Sequence, residues 1–185
     1  MRKSIILALA AVCLASLPGS RLPASTLRRL SLTDMIEQST TIVRGTLQPG
    51  PIAAFRGSLI YTHYQLSVTT AFKGTPGPTI DVAVPGGALN GVRHPVAGAP
   101  LLTPGQDCVF FLWTSKTGLT QIIGLSQGLF IVTTNAQGQV MVSRGATSET
   151  MLNSSGQIIS DSNIQMPLAQ LVTTIQAVLV GGSGQ

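Results

Sequence analysis

Ile60-Tyr61-Thr62-His63-Tyr64-Gln65-Leu66-Ser67-Val68-Thr69-Thr70-Ala71-Phe72 alternates with a period of two from end to end. Ile60, Thr62, Tyr64, Leu66, Val68, Thr70 and Phe72 share one face, which is mostly apolar and β-prone. Tyr61, His63, Gln65, Ser67, Thr69 and Ala71 share the other, which is mostly polar. That is the pattern of a half-buried antiparallel strand. It is long for a strand, and long strands that curl are natural in small barrels.

Upstream, residues 26–30 show no period and are expected to be an unstructured lead-in. Ser31-Leu32-Thr33-Asp34 offers an N-cap with an acid in the first turn, and Leu32, Met35 and Ile36 fall at i, i+3, i+4. A short amphipathic helix over 32–39 follows. Thr41-Ile42-Val43-Arg44-Gly45-Thr46-Leu47 reads as a first strand closed by Pro49-Gly50-Pro51. Downstream, residues 73–78 form a Gly/Pro turn, and Ile80, Val82 and Val84 restart the alternation. Residues 85–105 hold four prolines and five glycines and show no period.

Asp107-Cys108-Val109-Phe110-Phe111-Leu112-Trp113 is apolar on both faces. Such a strand must be covered twice, by a barrel interior on one side and by a helix or loop on the other. Short strands are expected over 119–123 and 129–133. Asn135-Ala136-Gln137-Gly138 then makes a hairpin turn into a strand over 139–143. Residues 144–163, rich in Ser, Thr, Asn and Gly, read as a flexible excursion. The last segment, 164–185, reads as a helix with Pro167 in its first turn and Gly181-Gly182 at its end. Its stripe of Leu168, Leu171, Ile175, Val178 and Leu179 is the natural cover for the outer face of the Cys108 strand. The expected fold is therefore mainly β: an antiparallel OB-like barrel over 26–143, with a short N-terminal helix and a C-terminal amphipathic helix packed on it.

The first 25 residues carry a different message. Arg2 and Lys3 precede an uncharged apolar run, and Pro18-Gly19-Ser20 and Ala24-Ser25 supply small-residue exits. This is the layout of a signal peptide, cleaved after Ser16, Ser20 or Ser25, with Ser25 favoured, and the run is too short to span a membrane. The protein is expected to be secreted or periplasmic. Removing residues 1–25 takes Arg2, Lys3 and Arg21 from the eleven basic residues and leaves the six acidic ones, so the formal charge falls from +5 to +2. With Arg28 and Arg29 at the new N-terminus, the rest is neutral. The pI near 9.9 thus gives no reason to expect a nucleic-acid partner. Cys13 leaves with the leader; Ala10-Ala11-Val12 before it does not suit a lipoprotein cysteine. Cys108 remains alone, so no internal disulfide is expected, and its apolar neighbours imply burial.

Gly124-Leu125-Ser126-Gln127-Gly128 matches the G-x-S-x-G nucleophile elbow. That elbow needs a helix leaving it, followed in the chain by an acid and a histidine. Here a strand-like run leaves, and both histidines, His63 and His94, precede Ser126. A hydrolase on Ser126 is therefore an alternative, as is a metal site at which His63 and His94 meet across a barrel mouth with Asp81. A nucleic-acid-binding OB domain is a further alternative. Asp34 and Glu37 are explained by the helix macrodipole, and Asn153-Ser154-Ser155 is a formal glycosylation sequon. No cofactor is implied. The best site is the 85–105 loop, because ordered loops beyond about 12–15 residues tend to be functional. Its one cluster of hydrogen-bonding side chains is Asn90, Arg93 and His94. The leading expectation is a non-enzymatic binding module for an unknown extracytoplasmic partner.

Read together, Thr41-Ile42-Val43-Arg44-Gly45, Ile60-Tyr61-Thr62, Ala71-Phe72-Lys73-Gly74, Val84-Pro85-Gly86-Gly87, Phe110-Phe111-Leu112 and the run from Gly124 to Phe130 resemble a group of uncharacterised bacterial exported proteins. More remotely, the early Val-x-Gly strand, the long strand ending in Phe-Lys-Gly and the later glycine before an apolar strand are similar to the netrin-type OB barrel, the class of the tissue inhibitors of metalloproteinases. That resemblance implies the fold alone. Those inhibitors use an N-terminal cysteine on zinc and several disulfides, neither of which has a counterpart here. One measurement checks the leader: protein recovered outside the cytoplasm should begin at Thr26 by intact mass and N-terminal sequencing. An exported form that retains residues 1–25 would refute it.

Overall fold

A computed structural model describes residues 26–182, so the expected leader, residues 1–25, lies outside the described residues. The chain is mainly β, with two helices. In order the elements are β1 (Thr26–Arg28), α1 (Leu32–Gln38), β2 (Thr41–Leu47), β3 (Ile52–Arg56), β4 (Leu59–Lys73), β5 (Thr79–Pro85), β6 (Gly87–Leu89), β7 (Val92–His94), β8 (Asp107–Thr114), β9 (Thr120–Ile122), a 3₁₀ turn (Leu125–Gly128), β10 (Leu129–Thr134), β11 (Val140–Arg144), β12 (Thr150–Leu152), β13 (Ile158–Ile159), β14 (Ile164–Pro167) and α2 (Leu168–Gly182). Among the described residues no helix is long and apolar enough to cross a membrane.

The principal sheet runs β14-β11-β10-β8-β2-β4-β3, every neighbouring pair antiparallel, and it does not close on itself. β5 pairs along the edge of β4 opposite to β2 and β3, since Tyr61 has both Ala54 and Pro85 as partners. In the same way β9 and β10 lie end to end along β8, opposite β2.

β8 is covered on both faces, as its composition requires. Cys108, Phe110 and Leu112 join Val43, Leu66, Val82 and Ile122 in one core. Val109 and Phe111 join Met35 and Ile36 of α1, Phe130 of β10 and Leu171 and Ile175 of α2 in the other. The rings of Phe111 and Phe130 sit 5.4 Å apart at 47°, a tilted contact of the favoured kind. The apolar stripe of α2 is thus the lid expected for this strand. α1 begins at Ser31, whose hydroxyl accepts from the Asp34 N–H at 3.0 Å while the Asp34 carboxylate accepts from the Ser31 N–H at 2.9 Å. Its other end is closed by Lys73 Nζ, which donates to the carbonyls of Ile36 at 2.6 Å and Glu37 at 3.0 Å.

Four departures from the sequence reading have physical causes. The β2–β4 ladder shifts register between Ile42 and Val43 and between Arg44 and Gly45, leaving Phe72 and Thr69 as extra residues on β4. These bulges break the alternation, so Leu66 and Val68 pack in one core and Phe72 in the other. Residues 26–30 are no loose lead-in: β1 pairs in parallel with β12, and the Leu30 N–H donates to the Oε1 of buried Gln127 at 2.9 Å. The 144–163 segment carries β12, β13 and a fully buried Met151. Pro167 ends β14 and α2 starts at Leu168, so the helix is shorter than 164–185.

The 144–163 segment is fastened by a buried ion pair. Arg144 Nη1 and Nη2 meet Asp161 Oδ2 and Oδ1 at 2.7 and 2.9 Å, and the Thr147 N–H adds a bond of 3.0 Å. Burial pushes the Asp161 carboxyl upward, but the bonds from Arg144 and from the Thr147 and Ser162 backbone outweigh it and hold it down at about 2. A depressed folded-state value stabilises above the unfolded value near ~4 and loses that stabilisation as pH falls through about 2. Thermal stability should therefore drop between roughly pH 4 and pH 2. Asp161→Asn should cost about 3 kcal/mol at neutral pH, leaving Arg144 buried without a counter-charge, and should flatten that acid limb in melts across pH.

Candidate binding site

The 85–105 stretch is not irregular throughout. β6 and β7 form a hairpin whose register, Leu89 opposite Val92, leaves Asn90-Gly91 as a two-residue turn. Asn90 has φ 51° and Gly91 φ 77°, the left-handed pair that a type I′ turn demands. An Asn-Gly dipeptide between apolar residues was the signal for it. Asn90 therefore shapes the hairpin and sits exposed at its tip.

The hairpin is laid back over β4 by Gly86 and Gly87, at φ 103° and 139°. The Gly86 N–H donates to the Ile60 carbonyl at 2.8 Å, and the Thr62 hydroxyl donates to the Gly86 carbonyl at 2.8 Å. A Cβ on Gly87 would lie 2.5 Å from Thr62 Oγ1, so the backbone lies directly on the strand. Farther along, the Ser126 N–H donates to the Gly98 carbonyl at 3.3 Å, and the Gly105 N–H donates to the Leu47 carbonyl at 2.9 Å. The loop is moored at both ends and near its middle.

His94 stands where two depressions meet. A cleft of about 600 Å³ is lined by Gly87, Ala88, Arg93, His94 and Pro95. A groove of about 280 Å³ runs between Tyr64, Val84 and Pro85 on one side and His94, Pro95 and Pro100 on the other. Nδ1 of His94 is buried and has no hydrogen-bond partner among the described residues. Arg93 is exposed on β7 and makes no hydrogen bond or ion pair among the described residues. Leu101 is 95% exposed at the groove, with Val92 at 48% and Val96 at 36% on the same loop. The sequence reading found Arg93 and His94 but missed these apolar side chains. Their signal was an aliphatic residue, Leu101, in a Gly/Pro loop with no period to place it in a core.

The other candidates fall elsewhere. His63 Nδ1 meets Asp81 Oδ2 at 2.8 Å across the outer faces of β4 and β5. His94 does not complete a cluster with them, and among the described residues no group of three His, Cys, Asp or Glu side chains could hold a metal. Ser126 lies in a 3₁₀ turn joining β9 to β10, which both run antiparallel to β8, with Gly124 and Leu125 both at φ 60°. No histidine or carboxylate bonds its hydroxyl among the described residues. Cys108 is buried, and burial first, then the charge of Asp107, pushes its thiol up to about 12.

No family model, curated protein or solved structure matches the chain. The glycine mooring can be checked directly. Gly87→Ala forces a side chain against Thr62 at an unfavourable φ and should cost about 2 kcal/mol in a denaturant melt. Gly105→Ala, which has open space at its Cβ, should cost less despite its own positive φ.

Proposed function

We propose that the protein is an exported, non-enzymatic binding module, secreted or periplasmic, that receives an extracytoplasmic partner in the groove beside His94. One observation carries the reading: Leu101, almost wholly exposed beside Val96 in the groove that His94 shares with the cleft of the unengaged Arg93, is displayed by a loop whose backbone is bonded to the sheet. Aliphatic surface held in water at a moored concave site is the usual property of a binding surface. Such a groove suits an apolar segment whose acidic group reaches past His94 to Arg93 in the adjoining cleft. Export rests on the leader in residues 1–25. The non-enzymatic part rests on the sequence, where neither histidine follows Ser126 as hydrolase order requires.

In the same reading β2, β4, β5, β8 and β9 make up an OB-like barrel left open on one side. Its support is a shared core of Val43, Leu66, Val82, Phe110 and Ile122. β5 and β9 also approach within 8 Å, Cα to Cα, with no ladder between them. The netrin-type resemblance is the sequence-level counterpart of that arrangement.

Photo-crosslinking in the exporting cell tests the function. With Leu101→p-benzoylphenylalanine, ultraviolet light should give a discrete adduct that Arg93→Glu abolishes. Gln137→p-benzoylphenylalanine, in the exposed β10–β11 turn outside the groove, should give none. Absence of an adduct at 101, or the same adduct from both positions, removes the groove from consideration.

A further inference from the structure

We propose that β3 is a self-association edge, along which two copies of this chain pair antiparallel about Ala54. β3 ends the principal sheet and pairs with β4 on one side only. The two-residue turn Gly57-Ser58 makes Arg56 and Leu59 the closing pair. Arg56, Ala54 and Ile52 therefore direct their N–H and C=O groups at β4, and Ala53 and Phe55 direct theirs outward. Two bonds confirm this phase: Gln48 N–H to Gln65 O at 2.8 Å on this edge of β4, and Val68 N–H to Pro78 O at 2.9 Å on the opposite edge. Among the described residues nothing else bonds the outward groups of Ala53 and Phe55.

Exposed edges are ordinarily blunted by lysine, proline, a bulge or a covering element. Ile52–Arg56 contains none of the first three; β6 approaches it within 8 Å, Cα to Cα, but forms no ladder with it, and Ile52 stays 70% and Phe55 48% exposed. Its one charge, Arg56, closes the turn and donates to Thr117 Oγ1 at 2.7 Å. The strand is also complementary to itself. With a two-fold axis at Ala54, Ala53 of each copy faces Phe55 of the other, and both pairs exchange main-chain bonds. Phe55 then lies beside the small Ala53, and the aliphatic stem of Arg56 lies beside Ile52. The two Ala54 residues meet without bulk, and no like charges face each other. This match between β3 and its own copy is what selects a second copy over a foreign strand. An edge of five residues buries little area, so the association is weak, with Kd on the order of 100 µM.

Sedimentation of the purified protein should show monomer at about 10 µM and mostly dimer at about 1 mM. Ala53→Pro removes an outward N–H while sparing the β4 ladder, and should stay monomeric across that range. A second set of variants, in a Cys13→Ser background with Cys108 buried, reads the register directly. Ala54→Cys places two thiols at a close non-bonded pair and should oxidise to a disulfide-linked dimer at least about tenfold faster than Phe55→Cys, which would face Ala53. Wild-type protein that remains monomeric at 1 mM, on the order of ten times that Kd, overturns the proposal. So does a dimer that survives Ala53→Pro, or Phe55→Cys crosslinking as fast as Ala54→Cys.

Discussion

β8 has no solvent side over most of its length, and the rest of the architecture follows from that. Five consecutive residues, Cys108 to Leu112, are buried. At about 2 kcal/mol for each large apolar side chain removed from water, this strand alone gathers hydrophobic stabilisation on the order of 10 kcal/mol, comparable with the whole net stability of a domain. It can do so only if two separate layers cover it. Side chains of β2, β4, β5 and β9 pack with Phe110 and Leu112 on one face, and α1 and α2 close over Val109 and Phe111 on the other. The two helices are far apart in the chain, yet both are required by the same two-sided strand.

Polar groups then fix where those layers sit. Arg44 grips Asp107 through Nε at 3.1 Å and Nη2 at 2.6 Å, locking β2 against β8 beside the core. Lys73 ties the end of β4 to the last carbonyls of α1, and burial lowers its pKa against the opposing pull of Glu37. Gln127 holds the backbone of Arg28 and Leu30, and Arg144 with Asp161 holds the segment after β11. Each of these joins regions that are distant in sequence or would otherwise carry unpaired buried groups. Arg44 in the 41–45 run and Lys73 in the 71–74 run are examples, so these two stretches of sequence serve to fasten the fold.

Period and composition made much of this visible beforehand. The two-sided character of Asp107 to Trp113 and the stripe from Leu168 to Leu179 were each local patterns, and together they implied the lid. What stayed hidden was non-local. The pairing of residues 26–28 with 150–152 leaves no trace in either segment, because main-chain bonds carry no side-chain signature. The bulges at Thr69 and Phe72 arise from the partner strand β2 and left the alternation in β4 looking unbroken. At the candidate site Arg93 and His94 were legible as polar residues in a long loop. The Asn90-Gly91 turn went unread, because its Asn-Gly signal was masked by the surrounding glycines and prolines.

The combination of that loop with this scaffold has a consequence for recognition. A 21-residue Gly/Pro-rich path would, if free, lose much conformational entropy on gripping a partner. Here the cost is largely met within the fold, because Gly86, Gly98 and Gly105 are each bonded to the sheet or to the 3₁₀ turn before any partner arrives. The Gly98 bond comes from Ser126, so the serine whose flanks imitate a nucleophile elbow serves through its backbone as a mooring for the loop. On the proposed reading, Leu101 and Val96 in the groove and Arg93 in the adjoining cleft would then meet a partner with little further ordering. The glycines and prolines that made the loop look formless are what hold it in one shape.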